Sequence, residues 1–502
     1  MRSKRTLTVV LQSFASGLPL GLVWVAIPDW MRSIGVDIRV VGLITLAQAP
    51  WTFKVMWAPL MDRYVPPFWG RRRGWMAVTQ VALLGLGLLL AGVGNRPDAI
   101  WVVGALAMAI ALAAASQDIA IDAYAVEVLR KDEQGAAAGL RTAIYRGAYS
   151  LAGSIAISMA ARLGWANVNV LLALMYVPML LITWKSPEPD VPAPPPRTLR
   201  EAVWQPFLSF LTRPRAIEIL SFVVLYKLSD QLTQSLTRPF LIDMGYNADQ
   251  RGVAVGLITL VTTMVGAVFG GWVSTLAGLG HSLWIFGFLQ LFSNLGYYVV
   301  SVLGQPIPIV MYAATGFELL ASGMGTGAFS VLLLRLTEKR FSATQYALFS
   351  SLFALPRVAA GPVTGFAVNA IGWPTFFLTT MVIGVPGLLM LHRFAPFGLR
   401  EPEFETDGAR AGAPTSGLLG PGFAAAVGLT VVTVFLVALL NAMQAVRTSP
   451  ALPFDLGGAL WRVAIPVEIG GWVQLAGIVS FALVGGMFIA ATRARRARAA
   501  TE

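Results

Sequence analysis

The sequence predicts an all-α polytopic membrane protein of fourteen transmembrane helices, ordered six, six and two. Three observations predict it. Hydrophobic residues make up 56% and charged residues 12% of the 502 positions, too apolar for a soluble globular chain. Continuous apolar runs of about 20 residues recur throughout, each long enough for a helix to cross a bilayer, and they lack the short alternating pattern of barrel strands. Two blocks of six such runs flank a proline-rich, charged segment, SPEPDVPAPPPRTLREAVWQPFLSFLTRPR, at 186–215.

Composition also excludes whole classes. The chain has no cysteine and only two histidines, His281 and His392, so no disulfide, no thiolate or histidine-rich metal centre and no cofactor is expected. The net charge of +12 is scattered through short loops, which fits the basic bias of cytoplasmic loops rather than a nucleic-acid surface. No GxxxxGK[ST] loop is present, so ATP is not the expected drive.

The basic head MRSKR leads into an apolar run containing Gly17, Pro19 and Gly21. That run is too long for a signal-peptide core and lacks an A-x-A site, so it reads as an uncleaved first span at about 7–30 with a cytoplasmic N-terminus. The second span, about 39–61, leads into a loop carrying Asp62, Arg63, Arg71, Arg72 and Arg73, which places that loop inside. Spans three and four, about 75–94 and 99–124, are joined outside by NRPDA. After the inner loop VEVLRKDEQG come spans five and six, about 136–160 and 166–184. These complete an N-terminal half over 1–185. In the linker, about 198–212 is expected to form an amphipathic helix on the cytoplasmic surface.

The C-terminal half, 216–394, has spans at about 217–241, 252–275, 282–303, 307–334, 345–369 and 374–393. It echoes the first. VGLITL occurs at 41–46 and 255–260, LGW at 163–165 is answered by IGW at 371–373, and 135–165 aligns with 343–373 without a gap, 208 residues apart. Such echoes indicate a duplication. A cytoplasmic connector, 395–420, leads to two additional spans within 421–492 and a basic cytoplasmic tail, 493–502. Those two spans carry few internal charges and are expected at the periphery. Two repeated six-helix halves with a long inner linker is the organisation of the major facilitator fold, whose halves rock around a site near the bilayer midplane.

Charge is costly in hydrocarbon, so polar residues within spans mark the candidate pathway. In QDIAID, Gln117 to Asp122, the carboxylates of Asp118 and Asp122 stand one turn apart on one helix face. From the cytoplasmic ends of their helices, Lys54 lies ~12 Å, Arg146 ~16 Å and Asp118 ~18 Å deep at ~1.5 Å per residue. The three thus fall at similar depth, with Asp122 and Arg141 a turn nearer the cytoplasm. Opposite charges at one depth offset each other's desolvation. The set reads either as a structural ion network or as a site for an anionic or zwitterionic solute. In the second half Lys227, Asp230, Gln231, Gln234, Glu318 and Arg357 are the corresponding polar residues, with Tyr226, Gln290 and Asn294 beside them. Thr326 and Ser330 align with Asp118 and Asp122, so the halves differ in charge. Trp57, Tyr145 and Tyr149 are rings that either stack on sugars or pack against lipid. Buried carboxylates can take up and release protons, so proton-driven symport is expected, with Asp118, Asp122, Asp230 or Glu318 as carrier and Asp118 favoured. Asp62, Arg63 and the cluster Arg71, Arg72, Arg73 read either as a plain basic loop or as a charge-pair latch at the cytoplasmic mouth.

FASGLPLGL, TFKVMWAPLMDRY, GRRRGW, SQDIAIDAY followed by VEVL, and EQGAAAGLRTAIYRGAY together resemble the AmpG muropeptide permeases of the major facilitator superfamily. The likeness is strongest over about 7–185. The segment 62–73 also resembles, in stretched form, the superfamily signature G-x-x-x-D-R/K-x-G-R-R, with Ala58 in the first glycine's place. The resemblance implies an inner-membrane importer, not an enzyme, that moves anhydromuropeptides with protons. Lys54, Arg146 and Arg357 would suit peptide carboxylates, and Tyr145 or Tyr149 the sugar; Lys54, Trp57, Asp62, Arg63, Gln117, Asp118 and Asp122 carry over by motif. Lys227 and Gln231 complete the expected binding set. The expected partners are a muropeptide-like small molecule, protons and membrane lipids, with no nucleic acid, and the protein is expected to be a monomer. The alternatives are a related transporter for a siderophore or a coenzyme A thioester, an integral membrane enzyme, or a transporter-like sensor.

Overall fold

The computed structural model describes residues 3–37, 41, 45–190, 193–211, 213, 215–404, 415–448 and 453–467, with scattered positions in 471–493. Among the described residues every regular element is a helix. α1 runs Lys4–Ser33 through a π turn at Leu22–Ala26. The second expected span is not one helix: it comprises α2 (Ala49–Phe53), a 3-10 turn at Lys54–Met56, and α3 (Ala58–Arg63). Pro59 accounts for the break, since it offers no N–H to the carbonyl of Val55 and its ring crowds that carbonyl. α4 is Arg71–Val93 and α5 is Ile100–Val128. α6 begins as Gln134–Ser150 and continues through a π turn at Leu151–Ile155 into Ala156–Leu163. α7 is Trp165–Lys185. The linker helix α8, Leu199–Leu211, falls where the amphipathic pattern places it.

The seventh expected span is broken into α9 (Ala216–Leu225), α10 (Leu228–Ser235) and α11 (Thr237–Asp243). Pro239 explains the second break by the same argument applied to Ser235; the first falls at Lys227. α12 is Ala248–Ala277, with a π turn at Val253–Ile258. α13 is Leu279–Val302 and α14 is Pro308–Leu336. α15, Ser342–Phe394, turns sharply at Gly372 and so provides the eleventh and twelfth expected spans. α16 (Thr415–Thr448) and α17 (Leu456–Ala464) follow.

Among the described residues nine helices are long and apolar enough to cross a membrane, against fourteen spans expected. The expected spans at 39–61 and 217–241 are broken, and 136–160 carries Arg141 and Arg146. Much of 345–369 and 469–491 falls on positions whose side chains lie outside the description. The duplication is visible in the backbone: Gly70 pairs with Gly278, and Gly164 with Gly372, each 208 residues on, and all four have φ between 74° and 88° with extended ψ. Side chains are disfavoured there, so glycine permits the turn before each following helix.

Packing positions the site. At the end bearing Arg71, Arg72 and Arg73, the two halves share one core that includes Met61, Tyr124, Phe210, Phe222, Phe329 and Phe349. Elsewhere they keep separate cores, one around Trp30, Val103, Ala148 and Trp165 and another around Phe240, Tyr297 and Phe377. Each half also has a three-way polar junction. Gln12, Gln80 and Thr183 bond one another across α1, α4 and α7 at 2.7–2.8 Å. Ser229, Asn294 and Thr380 do so across α10, α13 and α15, with Asn294 donating to Ser229 at 3.0 Å and to Thr380 at 3.3 Å. Such bonds hold helices together where lipid removes the hydrophobic drive. The helix at Gly420–Met443 is only 12% buried, against 72% for α1 and α14, so it lies at the periphery as its lack of charge suggested.

α6 of the first half meets α12 of the second through glycines, and a Cβ on Gly271 would strike the backbones of Gly135 and Gly139. A Cβ on Gly85 of α4 would meet nothing within 4 Å. Gly271→Ala is therefore expected to lower the thermal midpoint of the detergent-purified protein and Gly85→Ala to leave it level or raise it, as read by size-exclusion recovery after heating. Equal midpoints would remove the close approach as a constraint.

Candidate functional site

At the basic end of the bundle, Asp62 closes α3 with no exposed surface. Its carboxylate accepts from Arg72 Nη2 at 2.5 Å, from the backbone N–H groups of Ala343 and Thr344 at 3.2 and 2.8 Å, and from the Thr344 hydroxyl at 2.7 Å. Those two amides open α15, and a helix N-terminus favours an anion because its first N–H groups lack intrahelical partners. Arg72 also donates to Glu127 at 2.8 Å and to the Ser342 hydroxyl at 2.7 Å, and Arg71 donates to Glu127 at 2.8 Å. Ser342 in turn donates to Glu127 at 2.5 Å. Thus α3, α4 and α5 are tied to the first turn of α15 across the boundary between halves. The linker covers this end: Gln345 donates to the Pro206 carbonyl at 3.0 Å and to Ser209 at 2.9 Å, and Phe210 packs on Phe349 with centroids 4.9 Å apart.

Of the expected gate residues, Asp62, Arg71 and Arg72 meet here. Arg63 stands apart, its guanidinium 5.7 Å from the Tyr64 ring. Arg73 instead grips the linker, pairing with Glu188 and donating to the Ser186 carbonyl at 2.9 Å. Glu127, read from the sequence as a loop charge, is the shared acceptor of Arg71 and Arg72.

The first-half charges assemble around Asp122 rather than Asp118. Lys54, at the break between α2 and α3 and 7% exposed, holds its ammonium 3.5 Å from Asp122 Oδ2, while Arg141 donates to Oδ1. Asp118 has Lys54 and Ser16 for neighbours, and its Oδ1 has no hydrogen-bond partner among the described residues. Of the expected layer, Lys54 lies beside both Asp118 and Asp122, while Arg146 lines another cavity. Arg141 and Arg146 are five residues apart, which turns them roughly 140° from each other on a helix, so only Arg141 faces Asp122. Trp57 donates to Ser116 at 3.1 Å. Gln117 is fully buried, off the walls of the described cavities, and neither of its polar atoms has a partner among the described residues.

Arg146 lines a different space, a cavity of about 520 Å³ between the halves. With it are Tyr149, Ser150 and Ser154 of α6, Arg238 of α11, and Arg251 of α12. Tyr145 is not on this wall, and the charges acting on it are Asp118, Arg146 and Asp122. Arg238 and Arg251 were not singled out from the sequence.

The second-half network is nearly sealed, with Lys227, Asp230, Gln290 and Glu318 each at most 3% exposed. Lys227 donates to Asp230 at 2.8 Å, to Gln290, and to the carbonyl and hydroxyl of Ser322 at 2.8 and 3.2 Å. Gln234 donates to Glu318 Oε1 at 2.9 Å and to Ser322 at 3.1 Å. Glu318 Oε2 has no partner among the described residues. The Gln231 side chain is half-buried and makes no hydrogen bond among them. Arg357 belongs to α15, but its side chain lies outside the described residues.

The profile of the Major Facilitator Superfamily matches residues 9–361. The chain belongs to the major facilitator superfamily. It is similar to the anhydromuropeptide permease of Escherichia coli (strain K12), with 42% identity over 393 residues, 77% of this chain and 79% of the relative. It is 27% identical over 397 residues to putative transporter AmpG 4 of Rickettsia conorii, covering 77% of this chain and 95% of that one. Among solved structures, the major facilitator FucP in the outward conformation matches with a TM-score of 0.60 at 14% identity, covering 77% of this chain and 98% of that chain. The human organic anion transporter MFSD10 matches at 0.57 and 16% identity, covering 77% and 99%. These two likenesses show the major facilitator fold. The superfamily profile ends within α15, before α16 and α17.

Proposed function

We propose that this major facilitator protein imports peptidoglycan-derived anhydromuropeptides across the cytoplasmic membrane by alternating access, driven by protons. The observation that carries the reading is the 42% identity, over 393 residues, to a permease named for that solute. The chemistry is compatible. Muropeptides present peptide carboxylates and acetylated sugars, and the cavity between the halves offers guanidinium groups with the hydroxyls of Tyr149, Ser150 and Ser154. The excess of arginine at the latch end argues that this end is cytoplasmic, and with it the N-terminal segment, whose Arg5 pairs with Asp190 of the linker. The latch then shuts the inner mouth while the cavity faces the outside. Glu318 is our choice of proton carrier, with the Lys54, Asp118, Asp122 and Arg141 group as the polar surface of the other half.

Purified protein in liposomes should accumulate a radiolabelled N-acetylglucosaminyl-anhydromuramyl tripeptide against its gradient when the interior is alkaline, and only equilibrate it when the pH is equal on both sides. Neither uptake nor binding of that compound by folded protein would sink the substrate assignment. Accumulation without a proton gradient would remove the proposed drive.

A further inference from the structure

We propose that Arg146, Arg238 and Arg251 form a carboxylate-receiving site shared between the halves at the mouth opposite the latch, and that an anion bound there lets this mouth close. The inference rests on the permease reading above and adds the residues and the event.

Three guanidinium groups line one cavity of about 520 Å³, Arg146 from α6 on one side and Arg238 and Arg251 from α11 and α12 on the other. No acidic residue stands on its described wall. Arg251 donates to the Tyr246 carbonyl, while no hydrogen bond or ion pair is found for Arg146 or Arg238 among the described residues. Guanidinium stays charged at any working pH and presents a planar fork that fits a carboxylate with two parallel bonds. The cavity is therefore strongly positive, and low-dielectric walls concentrate that field on an arriving anion.

The wall itself has an unusual backbone. The π turns of three helices converge on it: Leu22–Ala26 of α1 contributes Val25, Leu151–Ile155 of α6 contributes Ser154, and Val253–Ile258 of α12 contributes Val255 and Gly256. A π turn inserts a residue into the helix and rotates the side chains beyond it, and such turns gather at functional sites. Here they turn three helices from both halves toward one space. Arg238 and Arg251 flank a hairpin at the end where the loop-charge rule expects few basic residues, so topology does not account for them.

The consequence follows from placement. Arg146 belongs to one half, and Arg238 and Arg251 to the other. Bringing the halves together at this mouth presses these like charges closer, where they are screened less. A solute with two peptide carboxylates offsets that repulsion and bridges the opposed forks.

The chain lacks cysteine, so an Ala161→Cys, Ala248→Cys pair, exposed residues of α6 and α12 at this mouth and off the cavity wall, can carry spin labels without background. The full-length protein in lipid nanodiscs should show a long distance alone and a shorter one with the anhydromuramyl tripeptide. The same compound with its peptide carboxylates amidated should leave the long distance. Adding Arg238→Gln and Arg251→Gln should populate the short distance without ligand and weaken binding of the acid form at least tenfold, with the amidated form unchanged. Arg238→Lys with Arg251→Lys keeps charge and fold, so it should retain the long distance yet lose affinity for the acid form. The site is overturned if the glutamine pair keeps the wild-type distance and both variant pairs bind the acid form as wild type does. If wild type responds to neither compound while the glutamine pair still closes the mouth, the arginine site stands and the muropeptide assignment fails.

Discussion

Replacing Asp62 with alanine is expected to open the basic end of the protein. The substitution strands the Ala343 and Thr344 amides at the start of α15, removes the bond to the Thr344 hydroxyl, and leaves Glu127 as the one carboxylate that Arg71 and Arg72 pair with among the described residues. Breaking a buried ion pair by deleting one partner costs on the order of 3 kcal/mol, which moves a closed–open equilibrium by roughly a hundredfold. Asp62→Asn should do less, because an amide oxygen still accepts from the helix start while the charge is lost. Spin labels on Asp132→Cys and Lys339→Cys, exposed residues of opposite halves at this end, read the change: the distance should lengthen in the order wild type, Asn, Ala. Uptake should collapse in the alanine variant, because a transporter that cannot reclose its inner mouth cannot cycle. An unchanged distance would mean that α8 and the shared core hold this end shut without the latch.

The second large effect is expected at Glu318. Around Asp122 the charges balance, with Lys54 and Arg141 against Asp118 and Asp122. In the second half they do not. Lys227 is committed to Asp230 at 2.8 Å, and Glu318 has only the neutral Gln234 on one oxygen and no described partner on the other. An unpaired buried carboxylate is costly, and a proton removes the cost. Glu318→Gln should therefore abolish gradient-driven accumulation, by more than about tenfold, while solute exchange at equal pH persists. Asp118→Asn should instead keep its dependence on the gradient, since Glu318 is untouched and Lys54 and Arg141 still face Asp122. Gradient-driven accumulation by the glutamine variant, together with its loss in Asp118→Asn, would move the carrier to α5.

This contrast shows how far the sequence could be read. Asp118 and Glu318 were both recognisable as carboxylates in apolar helices, because their cost in hydrocarbon depends only on local composition. Choosing between them required counting the charges that each one meets, and those come from helices distant in sequence. Counting residues along a helix gives depth but not rotation about the axis, so the sequence could not tell whether Arg141 or Arg146 meets Asp122, nor that Arg146 lines a separate cavity. Pro59 was a usable signal for the break beside Lys54, although 39–61 reads as one apolar span, whereas the break at Lys227 has no such proline. Arg238 and Arg251 carried a usable signal as basic residues at the mouth where few are expected.

By itself, then, the sequence determined the properties that follow from local composition and periodicity: a helical membrane protein, a duplicated core, the linker, a basic end and the identities of the intramembrane charges. The tertiary structure alone decided which charges meet, that Asp62 caps a helix of the other half, and that three arginines face one cavity. The reason is physical. The energy of an isolated buried charge is set by the hydrocarbon around it, but the energy of a charge pair depends on distance and orientation between helices, and no single span encodes those.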